Sequence, residues 1–237
     1  MKIKVNLMHF QELNKLIKQT PDLFIKLENC IGQRYIASGL SEKEVVIEGT
    51  PGNALAAYLS GSTIKVYGNV QEATGDTMDE GLIYVHGSAG DATGYSMRGG
   101  KIFVRDNAGY RAGIHMKAYE DKVPKLVIGG KAGSFLGEYQ AGGIIVVLGL
   151  GEDETPVGDF CATGMHGGKI YIRTNNPPEH LGEQILINKV DNIDEIDDLI
   201  AEFCNVFDIP IERINQKPFY LLTPNSAHPY KKMYTHH

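Results

Sequence analysis

The chain has 237 residues, 42% of them hydrophobic and 22% charged, with a formal net charge of −6 at pH 7. That length suffices for one elongated domain with flanks; the charge forms no basic stripe, which argues against nucleic-acid binding; and no run approaches the roughly eighteen apolar residues of a membrane span. No long apolar run follows Met1-Lys2-Ile3-Lys4, and Cys30, Cys161 and Cys204 are far apart in sequence, so the expectation is a soluble cytoplasmic protein with reduced thiols, off the membrane, with neither disulfide framework nor zinc site.

Residues 1–42 form a distinct N-terminal segment. Phe10 to Lys18 reads as a short amphipathic helix with Leu13, Leu16 and Ile17 on one side, stopped by Thr20-Pro21. A stack of strands exposes unpaired edges at its ends, and this segment is the expected cap.

From residue 43 to 173 a nineteen-residue unit dominates. Units start at Gly52, Gln71, Gly90 and Gly109, then at Gly133 and Gly158 after insertions of five and six residues. Such a period marks a solenoid whose units stack on one another. Its β-rich phase reads Val45-Val46-Ile47, Ile64-Lys65-Val66, Ile83-Tyr84-Val85, Ile102-Phe103-Val104, Leu126-Val127-Ile128, Ile145-Val146-Val147 and Ile170-Tyr171-Ile172. First and third positions are aliphatic throughout, and alternation along a strand turns both inward.

Three further columns line up. Pro51, Val70, Ala89, Ala108, Ala132 and Val157 precede the unit starts; Ala56, Gly75, Gly94, Gly113, Gly137 and Ala162 lie four residues past them; Leu59, Met78, Met97, Met116, Gln140 and Met165 lie seven past. Flexible thioethers suit an irregular core column better than a metal site. Glycine serves the corners, where positive φ or close backbone approach is needed. A leucine-rich repeat would need leucines at fixed offsets and an asparagine ladder, a hexapeptide repeat aliphatics where Ala57, Asp76, Tyr95, Ile114, Glu138 and Thr163 stand, and a calcium-binding nonapeptide repeat the run G-G-x-G-x-D; the sequence meets none of these. The expected fold is mostly β: a right-handed, single-stranded parallel β-helix of seven coils with short helical flanks.

Residues 174–237 form a C-terminal helix and extended tail. Asn175-Asn176-Pro177-Pro178 breaks the repeat, and Asp194 to Val206 reads as an acidic helix with Ile196, Leu199, Ile200 and Phe203 on its apolar face and Asp194 as N-cap. Pro218 to Tyr234 reads as extended chain packed on another surface; the closing His236-His237 reads equally as native sequence or tag remnant.

No catalytic motif emerges. Gly129-Gly130-Lys131-Ala132-Gly133-Ser134 has the wrong spacing for a phosphate loop, Gly149-Leu150-Gly151 is followed by three acids, and no C-x-x-C exists. His86, His115 and His166 fall at positions that form no ligand pair, and Cys161 reads as a buried structural thiol. The candidate site is a contact surface. Arg98, Lys117 and His166 share the place eight past a unit start and can form a basic ridge. The outward middle residues of the strands, Tyr84, Phe103 and Tyr171 among them, form a stripe that must be covered by the C-terminal helix and tail or by another protein.

Gly49-Thr50-Pro51-Gly52-Asn53-Ala54, Gly99-Gly100-Lys101-Ile102, the run Gly137 to Gly149 and Gly164-Met165-His166-Gly167-Gly168 resemble the G-x-G-x-G domain at the C-terminus of the glutamate synthase large subunit. The resemblance implies a stand-alone version of that domain, a non-catalytic scaffold that orders glutaminase and FMN modules. FMN and an iron–sulfur cluster then belong to partner subunits, with no catalytic, cofactor-binding or metal residue here. Related coils in one of the subunits of formylmethanofuran dehydrogenase imply the alternative partner set, and an independent β-helix enzyme or ligand binder is the third reading. A homo-oligomer is compatible with each.

Overall fold

A computed structural model describes residues 1–225. The N-terminal segment holds β1 (Lys2–Lys4), α1 (Phe10–Gln19) and β2 (Phe24–Ile31). The repeat supplies β3 (Glu44–Thr50), β4 (Ser60–Tyr67), β5 (Glu80–Val85), β6 (Lys101–Val104), β7 (Lys125–Ile128), β8 (Ala141–Val147) and β9 (Gly167–Arg173). β10 (Ile185–Val190), α2 (Asp194–Phe207), α3 (Ile211–Ile214) and β11 (Phe219–Pro224) follow. The fold is mostly β. All eleven strands join one mainly parallel, open sheet in the order β1 to β9, then β11 and β10.

The repeat sets the register. Ile64 pairs with Ile83, Ile83 with Ile102, Ile102 with Leu126, Leu126 with Ile145 and Ile145 with Ile170. The first and third residues of all seven runs are fully buried in one continuous core. A second row of parallel bridges links Val70, Ala89, Ala108, Ala132 and Val157, the column just before the unit starts. Between the two rows, each unit turns a corner in which residues two, four and six places past the start have positive φ; in the unit of Gly133 these are Phe135 (63°), Gly137 (63°) and Tyr139 (53°).

Neighbouring units satisfy these strained corners. The N–H of Tyr139 donates to Thr163 O in the next unit at 2.8 Å, whereas that of Gly137 donates to Ala112 O in the previous unit at 2.9 Å. The methionine column explains one glycine column. Gly100 and Gly143 have positive φ, and a Cβ there would lie 2.5 Å from Met78 Cε and 2.6 Å from Met116 Cε, so the thioethers occupy the space a side chain would need.

The ladder extends further upstream than residue 43. β2 pairs in parallel with β3, with Ile25 opposite Val45 and Leu27 opposite Ile47. A unit starts at Gln33, with positive φ at Tyr35, Ala37 and Gly39 as in later corners. Its glycine landmarks are replaced by Gln33 and Ala37, which hides it in the sequence. α1 lies against this unit. Leu13 and Ile17 are fully buried, and Asn14 Nδ2 donates to Arg34 O at 3.1 Å. Leu16, expected on the same side, is exposed, because the inward stripe follows the i, i+3, i+4, i+7 spacing of Phe10, Leu13, Asn14 and Ile17.

Two C-terminal expectations change. Asp194 is the first residue of α2 rather than its cap; Asn192 Oδ1 accepts the Asp194 N–H at 2.9 Å. The extended segment after Pro218 is β11, antiparallel to both β9 and β10. The rest of the expected tail, with His236 and His237, lies outside the described residues.

Candidate functional site

The outward stripe is covered by the chain's own helix. Tyr84, Phe103, Val127, Val146 and Tyr171 form a second core with Ile196, Leu199, Ile200, Phe203 and Phe207 of α2. The Tyr84 and Phe103 rings stack with centroids 5.4 Å apart. Two acids seven residues apart, hence on one helix face, clamp α2 to the strands. Glu202 accepts Tyr84 Oη–H and Lys101 Nζ–H, both at 2.6 Å. Glu195 accepts Tyr171 Oη–H at 2.5 Å and Lys169 Nζ–H at 2.7 Å.

The clamps shift the groups they join. Burial, reinforced by the neighbouring carboxylates, pushes both phenols well above the usual tyrosine range. Burial opposes ionisation of Glu195, but the Lys169 and Tyr171 donors outweigh it and hold the carboxyl below its usual range. Tyr84, Phe103 and Tyr171 are therefore buried within the chain and are not available to a partner while α2 is docked.

Arg98, Lys117 and His166 occupy equivalent rungs. Their N–H groups donate to Met78 O, Met97 O and Gln140 O at 2.8, 3.0 and 2.9 Å. Lys117 is exposed and the other two are half-buried. Arg98 Nε donates to Ser96 O at 3.2 Å, and His166 Nδ1 lies 3.1 Å from Gly164 O. Neither Arg98 nor Lys117 forms an ion pair among the described residues. Ala141 holds the rung between Lys117 and His166, so the ridge is two adjacent cations and a separate imidazole.

A feature of the corner is not among the sequence expectations. Residues two and six places past the start point outward and stack from unit to unit, joined by Tyr95, five past its own start. Tyr95 meets His115 edge-on at 5.9 Å, and His115 stacks on Tyr139 at 5.3 Å. Beside them the Arg111 guanidinium lies 4.6 Å over Phe135, which stacks on Phe160 at 4.9 Å. The sequence does carry a signal for it: places two and six past each start become aromatic in the later units. Alternation does not reach them, since they are not in strands.

This surface runs to the last unit, beside a cleft of about 560 Å³ lined in part by Glu154, Val157, Asp159, Phe160, Pro177 and Glu179. Cys30 and Cys161 are buried, and burial pushes both thiols up to about 12, so they stay protonated and are poor nucleophiles. Cys161 belongs to the interior column of Leu55, Thr74, Thr93, Ala112 and Leu136. Among the described residues, no group of three or more His, Cys, Asp or Glu side chains is placed to hold a metal ion. No described helix is long and apolar enough to cross a membrane.

The model of the GXGXG motif family matches residues 14–218. "Uncharacterized protein MJ1350" of Methanocaldococcus jannaschii is 48% identical over 244 residues, covering 96% of this chain and 94% of that one. A chain in the crystal structure of the formyltransferase/hydrolase complex (FhcABCD) from Methylorubrum extorquens, in complex with methylofuran, is similar in fold. Its TM-score is 0.62 at 18% identity, with 85% of this chain and 74% of that chain covered.

Proposed function

Because the chain belongs to the GXGXG motif family, that of the glutamate synthase alpha C-terminal domain, we propose that it is a non-catalytic scaffold subunit of a glutamate synthase complex. In this reading it orders glutaminase and FMN-domain subunits in the cytoplasm; FMN and the iron–sulfur cluster reside in those partners. The observation that carries the reading is the family match over nearly all of the described chain. The cysteines are compatible with it: Cys30 and Cys161 lie in the interior and Cys204 on α2, so they do not present a cluster-binding set.

The same reading makes the repeat a right-handed parallel β-helix, with α1 capping the unit of Gln33 and a helix with two further strands after residue 173. Parallel strands of one sheet are joined by right-handed crossovers in about 98% of cases, and two rows of parallel pairing support the coil. A second reading, the coil-bearing component of a formylmethanofuran dehydrogenase, draws on the fold likeness to a chain of the formyltransferase/hydrolase complex. Isolating the tagged protein with its associated subunits and assaying glutamine-dependent amination of 2-oxoglutarate separates the two. The first reading expects that activity in the assembly; an assembly with formylmethanofuran oxidation and no glutamate formation establishes the second.

A further inference from the structure

Among the described residues, the corner of the last unit ends in backbone without backbone partners. In each earlier unit the N–H two places past the start donates to the following unit, as Arg111 does to Ser134 O and Phe135 to Asp159 O. The N–H six past does the same, as in His115 to Glu138 O and Tyr139 to Thr163 O. The carbonyl three past receives from the following unit, as Leu136 O does from Ala162. In the last unit these groups are Phe160 N–H, Gly164 N–H and Cys161 C=O, and none has a backbone partner among the described residues. The strand edge of the same unit is closed, because β11 pairs with β9. The opening takes in the corner and the end of the second bridge row, where Val157 N–H and C=O likewise have no backbone partner among the described residues.

Its surroundings are specific. Phe160 is 62% exposed and ends the Phe135 stack. The cleft beside it carries three carboxylates, Glu154, Asp159 and Glu179, none of which pairs with a Lys or Arg among the described residues; Glu179 lies 4.0 Å from the His180 imidazole. An edge whose donors and acceptors lack partners among the described residues, at the spacing of the preceding unit, is a template for another polypeptide. The surplus negative charge selects that polypeptide by charge.

We propose that an extended, lysine-bearing segment of a partner subunit docks on this open corner, pairing with the groups of Phe160, Cys161 and Gly164 that lack partners among the described residues, covering the Phe160 ring and placing its cation among Glu154, Asp159 and Glu179. The proposal rests on the scaffold reading, since it requires an assembly.

Zero-length carbodiimide cross-linking of the assembly isolated from its own cells, followed by peptide mass spectrometry, tests it. The expected result is a cross-link from Glu154, Asp159 or Glu179 to a lysine of another subunit. Asp159→Lys and Phe160→Ala should each weaken association of that subunit about tenfold, with unchanged melting temperature because both side chains are exposed. Tyr58→Ala, exposed at the far end, should leave association unchanged. Cross-links to Lys231 or Lys232 of this chain, to a second copy, or only to sites elsewhere on this chain overturn the proposal, as does undiminished association of Asp159→Lys. Those results leave the scaffold reading standing; isolation of the chain with no other subunit overturns both.

Discussion

The strand face and the corner face both present apolar or aromatic columns outward, yet the described residues close only one of them. On the strands, Phe103 and Val127 are fully buried beneath α2. On the corner, Tyr95, Tyr139 and Phe160 are exposed. The two columns stack equally well: Tyr84 on Phe103 is 5.4 Å, His115 on Tyr139 is 5.3 Å. Stacking along the repeat is thus a by-product of its register, while burial depends on whether an element is supplied to cover the face. α2 is supplied for the strands and clamped at Glu195 and Glu202. Nothing among the described residues is clamped over the corner.

The largest effect is expected where the covering element is cut into. Phe203, fully buried against Phe207 and the strands, should cost about 3–5 kcal/mol on truncation to alanine. Tyr139→Ala on the open corner should stay within about 1 kcal/mol, as surface substitutions do. Chemical denaturation of both variants measures the contrast; equal losses would erase the distinction between the faces.

Next come the clamps. Glu202→Gln removes the charge from two short bonds and should cost about 1–2 kcal/mol, and the Tyr84 phenol should titrate at lower pH in spectrophotometric titration, since Glu202 is one of the causes raising it. An unmoved phenol titration contradicts the clamp.

Smaller still is the effect beyond the helix. β4 places Lys65 in the outward column, where it pairs with Glu44 at 2.7 Å and both side chains are over a third exposed. Lys65→Glu should cost no more than about 1 kcal/mol, most of it lost at high salt. A larger, salt-insensitive loss would mean that α2's cover reaches β4.

The smallest expected effect is a pH slope. His86 lies between Tyr67 and Phe207, and burial, then Arg105 and Lys65, lower its pKa. The folded state resists protonation, so this contribution is full above the ordinary pKa of 6.5 and is lost as pH falls from there through the depressed folded value. His86→Gln should flatten that acid-side decline in thermal melts, and an unchanged slope would assign the decline to other groups.

What the sequence disclosed follows from this comparison. Columns that recur every nineteen residues with period-two alternation, such as Ile83-Tyr84-Val85 over Ile102-Phe103-Val104, carry both register and inwardness in residue type. The apolar middle position also announced that the strand face needed a cover, and α2 matched it. The unit at Gln33 was hidden because glycine is missing both at its start and four places on, at Ala37, whereas every later unit keeps at least one of the two; Tyr35 and Ala37 take the same positive φ without that marker. β10 was missed because Ile185–Val190 is only partly buried and lacks strict alternation. The aromatic corner was missed because it is built from left-handed residues, Arg111, His115, Phe135 and Tyr139 among them, whose grouping arises from stacking between units.

The division of labour between the faces can be tested most directly by hydrogen exchange on the free protein and on the protein within its assembly. The account predicts slowed exchange in the assembly at the corner amides of residues 158–166, Phe160 and Gly164 above all, with α2 and the amides of β5 to β9 already protected in the free protein. Unchanged exchange at residues 158–166 together with new protection across α2 would contradict it, because the strand face would then be the docking surface and the corner a solvated edge.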